Sequence, residues 1–539
     1  MSEISLKEKI GQLMVFGFEG LTATEEIKHF IQEYRVGSII LFGRNIGNAE
    51  DVLKLTTELQ HEAKDAQHPF PLLICADQEN GAVRRLGEGS TIFPGAMLLG
   101  ATGKSENAFK TGKATARELK ALGINWNLAP VVDVNNNPAN PVIGIRSFGE
   151  KPEVVSEFGK AFLKGSQEEG VIPTLKHFPG HGDTDIDSHL DLPVIRHTKE
   201  RLDRVELLPF KEAIENGADV VMTAHVHFPA YEKNEGIPAT ISKSVITGLL
   251  RDDLGFDGVI TTDCLEMNAV SKTIGTAQGA VEALKAGVDL LMVSHTYEVQ
   301  KETLLAVLHA VESGEIDEST IDQAYTRVQR LKESYLNWEH LKTDPLSVQV
   351  PEWVGGAEHT RLAQDIYREG ITIEANHTTM LPLSNEPGHP VLCIYPQSQS
   401  KLQVEDKKYL NLQVEDIIQE IHPKAESFII SNPSLEKEIN AIKEKAYDFE
   451  TIIFMILSLN NENPLLQLMN DLKEEKQVIA MAIRNPYALE HLPLGCAAIY
   501  TYEPTLPAIT AALRVIFGKQ EANGDLPVSI YSCHKRKNK

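Results

Sequence analysis

The stretch Val171-Ile172-Pro173-Thr174-Leu175-Lys176-His177-Phe178-Pro179-Gly180-His181-Gly182-Asp183-Thr184-Asp185-Ile186-Asp187-Ser188-His189 decides how the chain is read. Its first five residues form a short apolar run of the kind that makes a buried strand. The next fourteen hold three His, three Asp and one Lys, and Gly180 and Gly182 interrupt any regular structure there. A dense set of ionisable side chains on a loop leaving the C-terminal end of a strand is how α/β barrels build their active sites.

Working outward, similar short apolar runs recur through the first 340 residues. Leu13–Phe18, Ser38–Phe42, Leu72–Ala76, Ile124–Pro130, Val171–Lys176, Asp219–Ala224, Gly258–Thr262 and Val288–Val293 read as strands. Helical patterns separate them, among them Ala49–Ala63, Glu106–Leu122, Glu150–Glu168, Lys199–Asn216, Ser242–Leu254 and Tyr297–Ser313. Eight strand–helix alternations imply a parallel sheet and point to an N-terminal (β/α)8 TIM-like barrel. Asp77, Asp133, Lys176, His177, His225 and Asp263 each fall at or just past the end of a predicted strand. Scattered surface charge would not do this, whereas convergence on one barrel mouth would.

From about Asn337 to Gly356 the pattern dissolves, and beyond it Val391–Tyr395, Phe428–Ile430, Thr451–Leu457, Val478–Ala482 and Ala497–Thr501 read as strands between helices. The expected organisation is a catalytic barrel over residues 1–340, a linker over 341–356, and a smaller C-terminal α/β domain, an αβα sandwich, over 357–539.

Composition narrows the function. With 76 acidic against 52 basic residues the formal net charge is −24, which repels phosphate backbones and anionic lipid surfaces. Nucleic acid and membrane partners are therefore not expected, and the basic Lys535-Arg536-Lys537 reads as a solvated end. The cysteines Cys75, Cys264, Cys393, Cys496 and Cys533 are odd in number and widely spaced, without the pattern of a disulfide framework or a zinc site. The N-terminus lacks an apolar core of the export type and no run of eighteen apolar residues occurs, so a cytoplasmic location is expected.

Asp263 ends the β-branched run Val259-Ile260-Thr261-Thr262, and a carboxylate held rigidly there suits a covalent nucleophile; a buried Asp bonded to its own backbone is the plainer alternative. Asp187-Ser188-His189 offers an imidazole whose tautomer a nearby carboxylate can fix, as a proton donor and then acceptor requires. A solvated loop His is the alternative here. Asp183-x-Asp185-x-Asp187 imitates the start of a calcium loop, but Ser188 and Val194 stand where Gly and Glu belong. His225-x-His227 resembles barrel metallohydrolases in the wrong order along the chain. No metal or cofactor is therefore expected, and GxxxxGK[ST] is missing. Cys264 reads as a small buried residue.

With these residues in view the chain resembles the β-N-acetylglucosaminidases of glycoside hydrolase family 3 in their two-domain bacterial form. Lys176–Gly182 with Asp187-Ser188-His189 matches the signature loop. Asp77-Gln78-Glu79, Asn127–Val134, Ile143–Gly149, Val221–His225 and Thr262-Asp263 add to it, and Phe517-Gly518-Lys519 with Leu526–Ser529 extends the likeness to the second domain. The resemblance implies a retaining exo-hydrolase of terminal N-acetylglucosamine, with Asp263 as nucleophile and His189 as acid/base partnered by Asp187. By the same matching Asp77, Arg85, Arg146, Lys176 and His177 bind the sugar. Most retaining glycosidases use two carboxyl groups; a His–Asp dyad replaces one here. Asn80 and Ala82 depart from the family's Asp-Gln-Glu-Gly-Gly-Arg run, which leaves sugar binding intact through Arg85 and puts the aglycone side in question.

Three alternatives stand beside this reading. A phosphorylase could use the same dyad, because a His does not repel an incoming phosphate as a carboxylate would. A β-glucosidase or β-xylosidase of the family would ordinarily lack the His loop. A silent sugar-binding protein would have no use for Asp263. The sequence leaves open chitooligosaccharide against cell-wall substrate, the contribution of the second domain, and formation of a homodimer.

Overall fold

The computed structural model describes residues 4–530 except 186, 189–190, 342, 375–379, 384–388, 398–412, 432–435 and 460–462. Eight short strands form the first sheet: β1 (Met14–Phe16), β2 (Ser38–Leu41), β3 (Leu73–Ala76), β4 (Trp126–Asn127), β5 (Ile172–Phe178), β6 (Val220–Thr223), β7 (Val259–Thr261) and β8 (Leu291–Val293). All are parallel, in the order β7-β6-β5-β4-β3-β2-β1-β8. A bridge from Thr261 to Leu290, with Leu290 N–H donating to Ile260 O at 2.9 Å and Thr262 N–H to Leu290 O at 3.0 Å, brings the ends together into a barrel. The strands are buried along their whole length, as expected where helices cover one face and the barrel interior the other.

One of the helical patterns is broken in two. Lys199–Asn216 is two helices, Lys199–Arg204 and Leu208–Glu215. Pro209 lies in the first turn of the second, where its fixed φ and missing N–H suit a helix start and not a continuing helix. The segment after the last barrel helix, Glu318–Tyr335, is tied to the barrel: Trp338 Nε1 donates to His68 O at 3.0 Å and Gly355 N–H to Glu118 Oε1 at 3.1 Å.

The second sheet comprises β9 (Thr372–Glu374), β10 (Val391–Pro396), β11 (Ala425–Ile430), β12 (Thr451–Ile456), β13 (Gln477–Ala482) and β14 (Ala497–Tyr500), ordered β11-β10-β12-β13-β14-β9. Only β9 is antiparallel. It is absent from the sequence reading because three residues directly after the helix Ala357–Gly370 carry no alternation of their own; pairing with β14 makes them a strand. Among the described residues no helix is long and apolar enough to cross a membrane.

The end of the barrel opposite the polar loops is built for stability. Lys332 is fully buried there, and its Nζ donates to Gln12 Oε1 at 2.8 Å and Gly37 O at 2.9 Å. Burial pushes its ammonium down from the ordinary 10.5 to about 7. Between those pH values the unfolded chain keeps a proton that the folded chain has released, so this group adds stability as pH rises through the window. Denaturant titrations should show wild type gaining stability over Lys332→Met from pH 7 to 10; curves that stay parallel would show that Lys332 titrates normally.

Candidate active site

The C-terminal mouth of the barrel holds a cavity of about 300 Å³ lined by Asp77, Arg85, Arg146, Lys176, His177 and Asp263, with apolar walls from Ile40, Leu128, Met222 and Met292. This is the lower end of the range for small-molecule pockets. Polar groups from the ends of β3, β5 and β7 therefore meet in one place.

The turn after β3 is shaped by Asn80 (φ 73°) and Gly81 (φ 57°), both left-handed. Asn is one of the few side chains that tolerates this region, so the departure at Asn80 preserves the backbone that Gly would give. Its amide donates to Thr115 Oγ1 and its carbonyl accepts from Gln78 Nε2, each at 3.0 Å. Gln78 Oε1 in turn accepts from the N–H groups of Arg85 at 2.9 Å and Leu86 at 3.0 Å, closing the turn. Ala82 leaves no cation at its position, and the neighbouring Arg84 is buried with Nη1 donating to Gly81 O at 3.0 Å.

This turn delivers three charges to a buried network. Lys176 Nζ lies 2.8 Å from Asp77 Oδ1 and 2.7 Å from Glu79 Oε1. Arg85 Nη2 is 3.2 Å from Asp77 Oδ2. Arg146, on the short turn Gly144–Arg146, grips Glu79 with two bonds of 2.8 and 2.7 Å. Burial alone would raise the Asp77 and Glu79 carboxyls, but Lys176 and Arg85 hold Asp77 below its usual range, while Arg146 and Lys176 bring Glu79 to about 2. Lys176, despite burial, stays above the usual lysine range because of Asp77 and Glu79. Asp77, Glu79, Arg146 and Lys176 thus remain charged at neutral pH.

A second layer orients His177. Its Nδ1 lies 2.7 Å from Asp133 Oδ2 and its Nε2 3.4 Å from Arg146 Nη2. A proton on Nδ1 satisfies both contacts and leaves Nε2 as the acceptor. Asp133 also accepts from the His181 N–H at 2.6 Å; burial would raise its carboxyl, but His177 and His181 hold it low. The sequence reading places Asp133 at the barrel mouth and Glu79 in a motif, but gives neither a role in the site. The Asp-Gln-Glu run and the strand-end position of Asp133 were the available signals.

The signature loop is pinned at its base. Gly182 approaches so closely that a Cβ there would lie 1.8 Å from Val134 O. Asn140 Nδ2 donates to the carbonyls of His181 and Gly182, both at 2.8 Å. His181 bridges Thr184 Oγ1 at 2.9 Å and Ser188 Oγ at 3.0 Å, and burial pushes it down to about 4, so it serves as a neutral strut. Asp187 is half-buried and Ser188 lies on the cavity wall. His189 lies outside the described residues.

Across the cavity, Asp263 Oδ1 accepts from the Cys264 N–H at 2.6 Å. His225 steadies this strand end, bonding Cys264 O at 3.0 Å through Nε2 and Thr240 Oγ1 at 2.7 Å through Nδ1. His227 Nδ1 likewise meets Ile237 O at 2.8 Å, so both members of the His-x-His pair serve backbone carbonyls. Burial pushes the Cys264 thiol up to about 12, which leaves it unreactive. Among the described residues two clusters have metal-ligand spacing, Cys264–Glu266–His295 and Asp183–His197–Glu206. In the first, Glu266 accepts the N–H groups of Ser294, His295 and Thr296; in the second, Asp183 and His197 pair with each other at 2.6 Å and Glu206 with Arg201 at 3.3 Å.

Glu79 carries a direct test. Its depressed pKa gives stability that is present above about pH 4.5 and is lost as pH falls towards 2. Glu79→Gln, which takes from buried Arg146 its carboxylate partner and leaves Lys176 with Asp77 alone, should cost about 3 kcal/mol at neutral pH and flatten that acid limb. Calorimetry across pH 2–7 reads both, and an unchanged acid limb would contradict the assignment.

Comparison with known proteins identifies the family. Residues 5–331 match the model of the glycosyl hydrolase family 3 N terminal domain. The chain is 32% identical to "Beta-hexosaminidase A" of Pseudoalteromonas piscicida, over 94% of this chain and 92% of that one. Among solved structures it resembles a glycoside hydrolase family 3 β-N-acetylglucosaminidase of Paenibacillus sp. str. FPU-7, at 40% identity and a TM-score of 0.91, over 98% of this chain and 99% of that one. A β-glucoside phosphorylase, BglX, at 22% identity and a TM-score of 0.81, shares the fold. The chain belongs to glycoside hydrolase family 3 and is a glycoside hydrolase.

Proposed function

We propose that this chain is a retaining exo-β-N-acetylglucosaminidase that releases terminal non-reducing N-acetylglucosamine from chitooligosaccharides or cell-wall fragments. One observation carries the reading: Asp263 lies in the same cavity as the paired charges Asp77, Arg85, Arg146 and Lys176 and the imidazole of His177. The activities named for the Pseudoalteromonas and Paenibacillus relatives support it.

In this account Asp77, Arg85, Arg146, Lys176 and His177 together hold the sugar hydroxyls and the N-acetyl group, the carboxylate accepting and the cations donating. Asp263 attacks the anomeric carbon as the glycosidic bond breaks, giving a covalent glycosyl-enzyme. The Cys264 N–H keeps the Asp263 carboxylate turned for attack, and His225 fixes that N–H's own residue. His189, partnered by Asp187, gives a proton to the departing oxygen and then takes one from the water that releases the sugar. The second reading, a phosphorylase, draws on the cations Arg44, Arg85, Arg146 and Lys176 around the cavity, since phosphate could replace water in the second step.

Asp263→Asn should lower turnover of an aryl β-N-acetylglucosaminide by several orders of magnitude while N-acetylglucosamine still binds; unchanged turnover removes Asp263 from its role. His189→Ala should slow substrates with leaving groups of high pKa more than activated phenols, and equal losses would argue against proton donation. Products identified in phosphate buffer should be free N-acetylglucosamine; predominant sugar 1-phosphate would establish the phosphorylase instead.

A further inference from the structure

A buried carboxylate of the second domain reaches the loop that follows β3 of the barrel. Glu503, just past β14, is 2% exposed, and its Oε2 accepts from Gly95 N–H at 2.7 Å. Its Oε1 accepts from Tyr367 Oη and Thr505 Oγ1, both at 2.8 Å and both from its own domain. Gly95 belongs to the barrel, beside the turn that carries the charged network. Gly81 N–H donates to Phe93 O at 3.1 Å, and a Cβ on Gly81 would lie 2.8 Å from both Glu503 Oε2 and Gly95 Cα. Positive φ and lack of space thus both require glycine at 81.

The contact reaches the cavity in one more step. Glu79, Asn80 and Arg146 share with Glu503 and Tyr502 the walls of a void of only about 20 Å³. Buried Arg84, hydrogen-bonded to Gly81 O, also acts electrostatically on Glu503. Elsewhere the second domain touches the long loop after β4 at two places. Tyr487 Oη accepts from Asn135 Nδ2 at 3.2 Å, and Ser529 donates to Glu150 through N–H at 2.8 Å and Oγ at 2.5 Å.

We infer that Glu503 is a positioning residue: through Gly95 and Gly81 it braces the turn Asn80–Arg85, so that the second domain sets where Asp77, Glu79 and Arg85 stand in the pocket. Glu503 touches no substrate. Its effect is on how well the sugar-binding charges are held before substrate arrives, which is preorganisation.

Glu503→Ala should raise amide hydrogen exchange in residues 79–86 and 93–96 by about tenfold or more, with the strands of the barrel unaffected. The KM for an activated aryl β-N-acetylglucosaminide should rise about tenfold while kcat changes little, as expected for loss of binding contacts. Glu503→Gln should restore most of both. Its amide oxygen can accept from Gly95 N–H while its NH2 donates to the two hydroxyls. Glu369→Ala removes different contacts at the same interface, those with Asn107 and Lys104, and should lower the melting temperature without changing either readout.

The brace is overturned if Glu503→Ala leaves exchange and KM at wild-type values, or moves them no further than Glu369→Ala does. If the alanine variant does not fold, Tyr367→Phe removes one donor to Glu503 and should shift both quantities in the same direction; no shift again overturns it. The KM arm rests on the proposed sugar pocket, whereas exchange is read without substrate. Inactivity of wild type on the aryl sugar would therefore count against that function and leave the exchange result to decide on Glu503.

Discussion

The buried pairing of Lys176 and Arg146 with Glu79, extended by Asp77 and Arg85, is the constraint on which the rest of the site depends. Taking an ion out of water costs several kcal/mol unless a partner at hydrogen-bond distance offsets it. Five such ions at one strand-end cluster therefore survive only if the backbone delivers each to within about 3 Å of its partner. That demand explains features with no chemistry of their own: left-handed Asn80 and Gly81, the clamp of Gln78 on Arg85 and Leu86, and Asp133 holding both His177 and the N–H of His181.

The division of labour between the barrel ends follows. At the closed end, buried polar groups such as Lys332 and Gln12 satisfy one another and a backbone carbonyl. At the open end, paired charges face a cavity in which a polyhydroxylated ligand can join the network. A sugar suits such a pocket because each hydroxyl both donates and accepts, and so can bridge an acid and a base already held side by side.

Strand-end placement was the most informative feature of the sequence. Asp77, Lys176, His177 and Asp263 stand where their runs end, so barrel geometry made them converge, and the apolar runs of β1 to β8 were readable because buried parallel strands are continuously apolar. What local pattern could not supply was any role set by a distant partner. Glu79 is a site residue only because Arg146 lies 67 positions away in the chain. His181 looks catalytic by composition, yet Thr184 and Ser188 make it a strut. Glu503 is one acid among 76 acidic residues until Gly95, 408 positions earlier, is seen against it. The split of Lys199–Asn216 was readable from Pro209 but outweighed by the apolar periodicity around it. His189 lies outside the described residues, so its place in the dyad rests on the signature loop and on Asp187.

The central claim is that the barrel fixes a sugar so that Asp263 attacks its anomeric carbon. Incubation with a fluorinated N-acetylglucosaminide bearing a good leaving group, which slows turnover of a glycosyl-enzyme, followed by mass spectrometry of the peptides, tests it most directly. The account predicts one added sugar, mapped to Asp263. A sugar carried on another residue, or active enzyme that stays unlabelled while the probe is consumed, would contradict it.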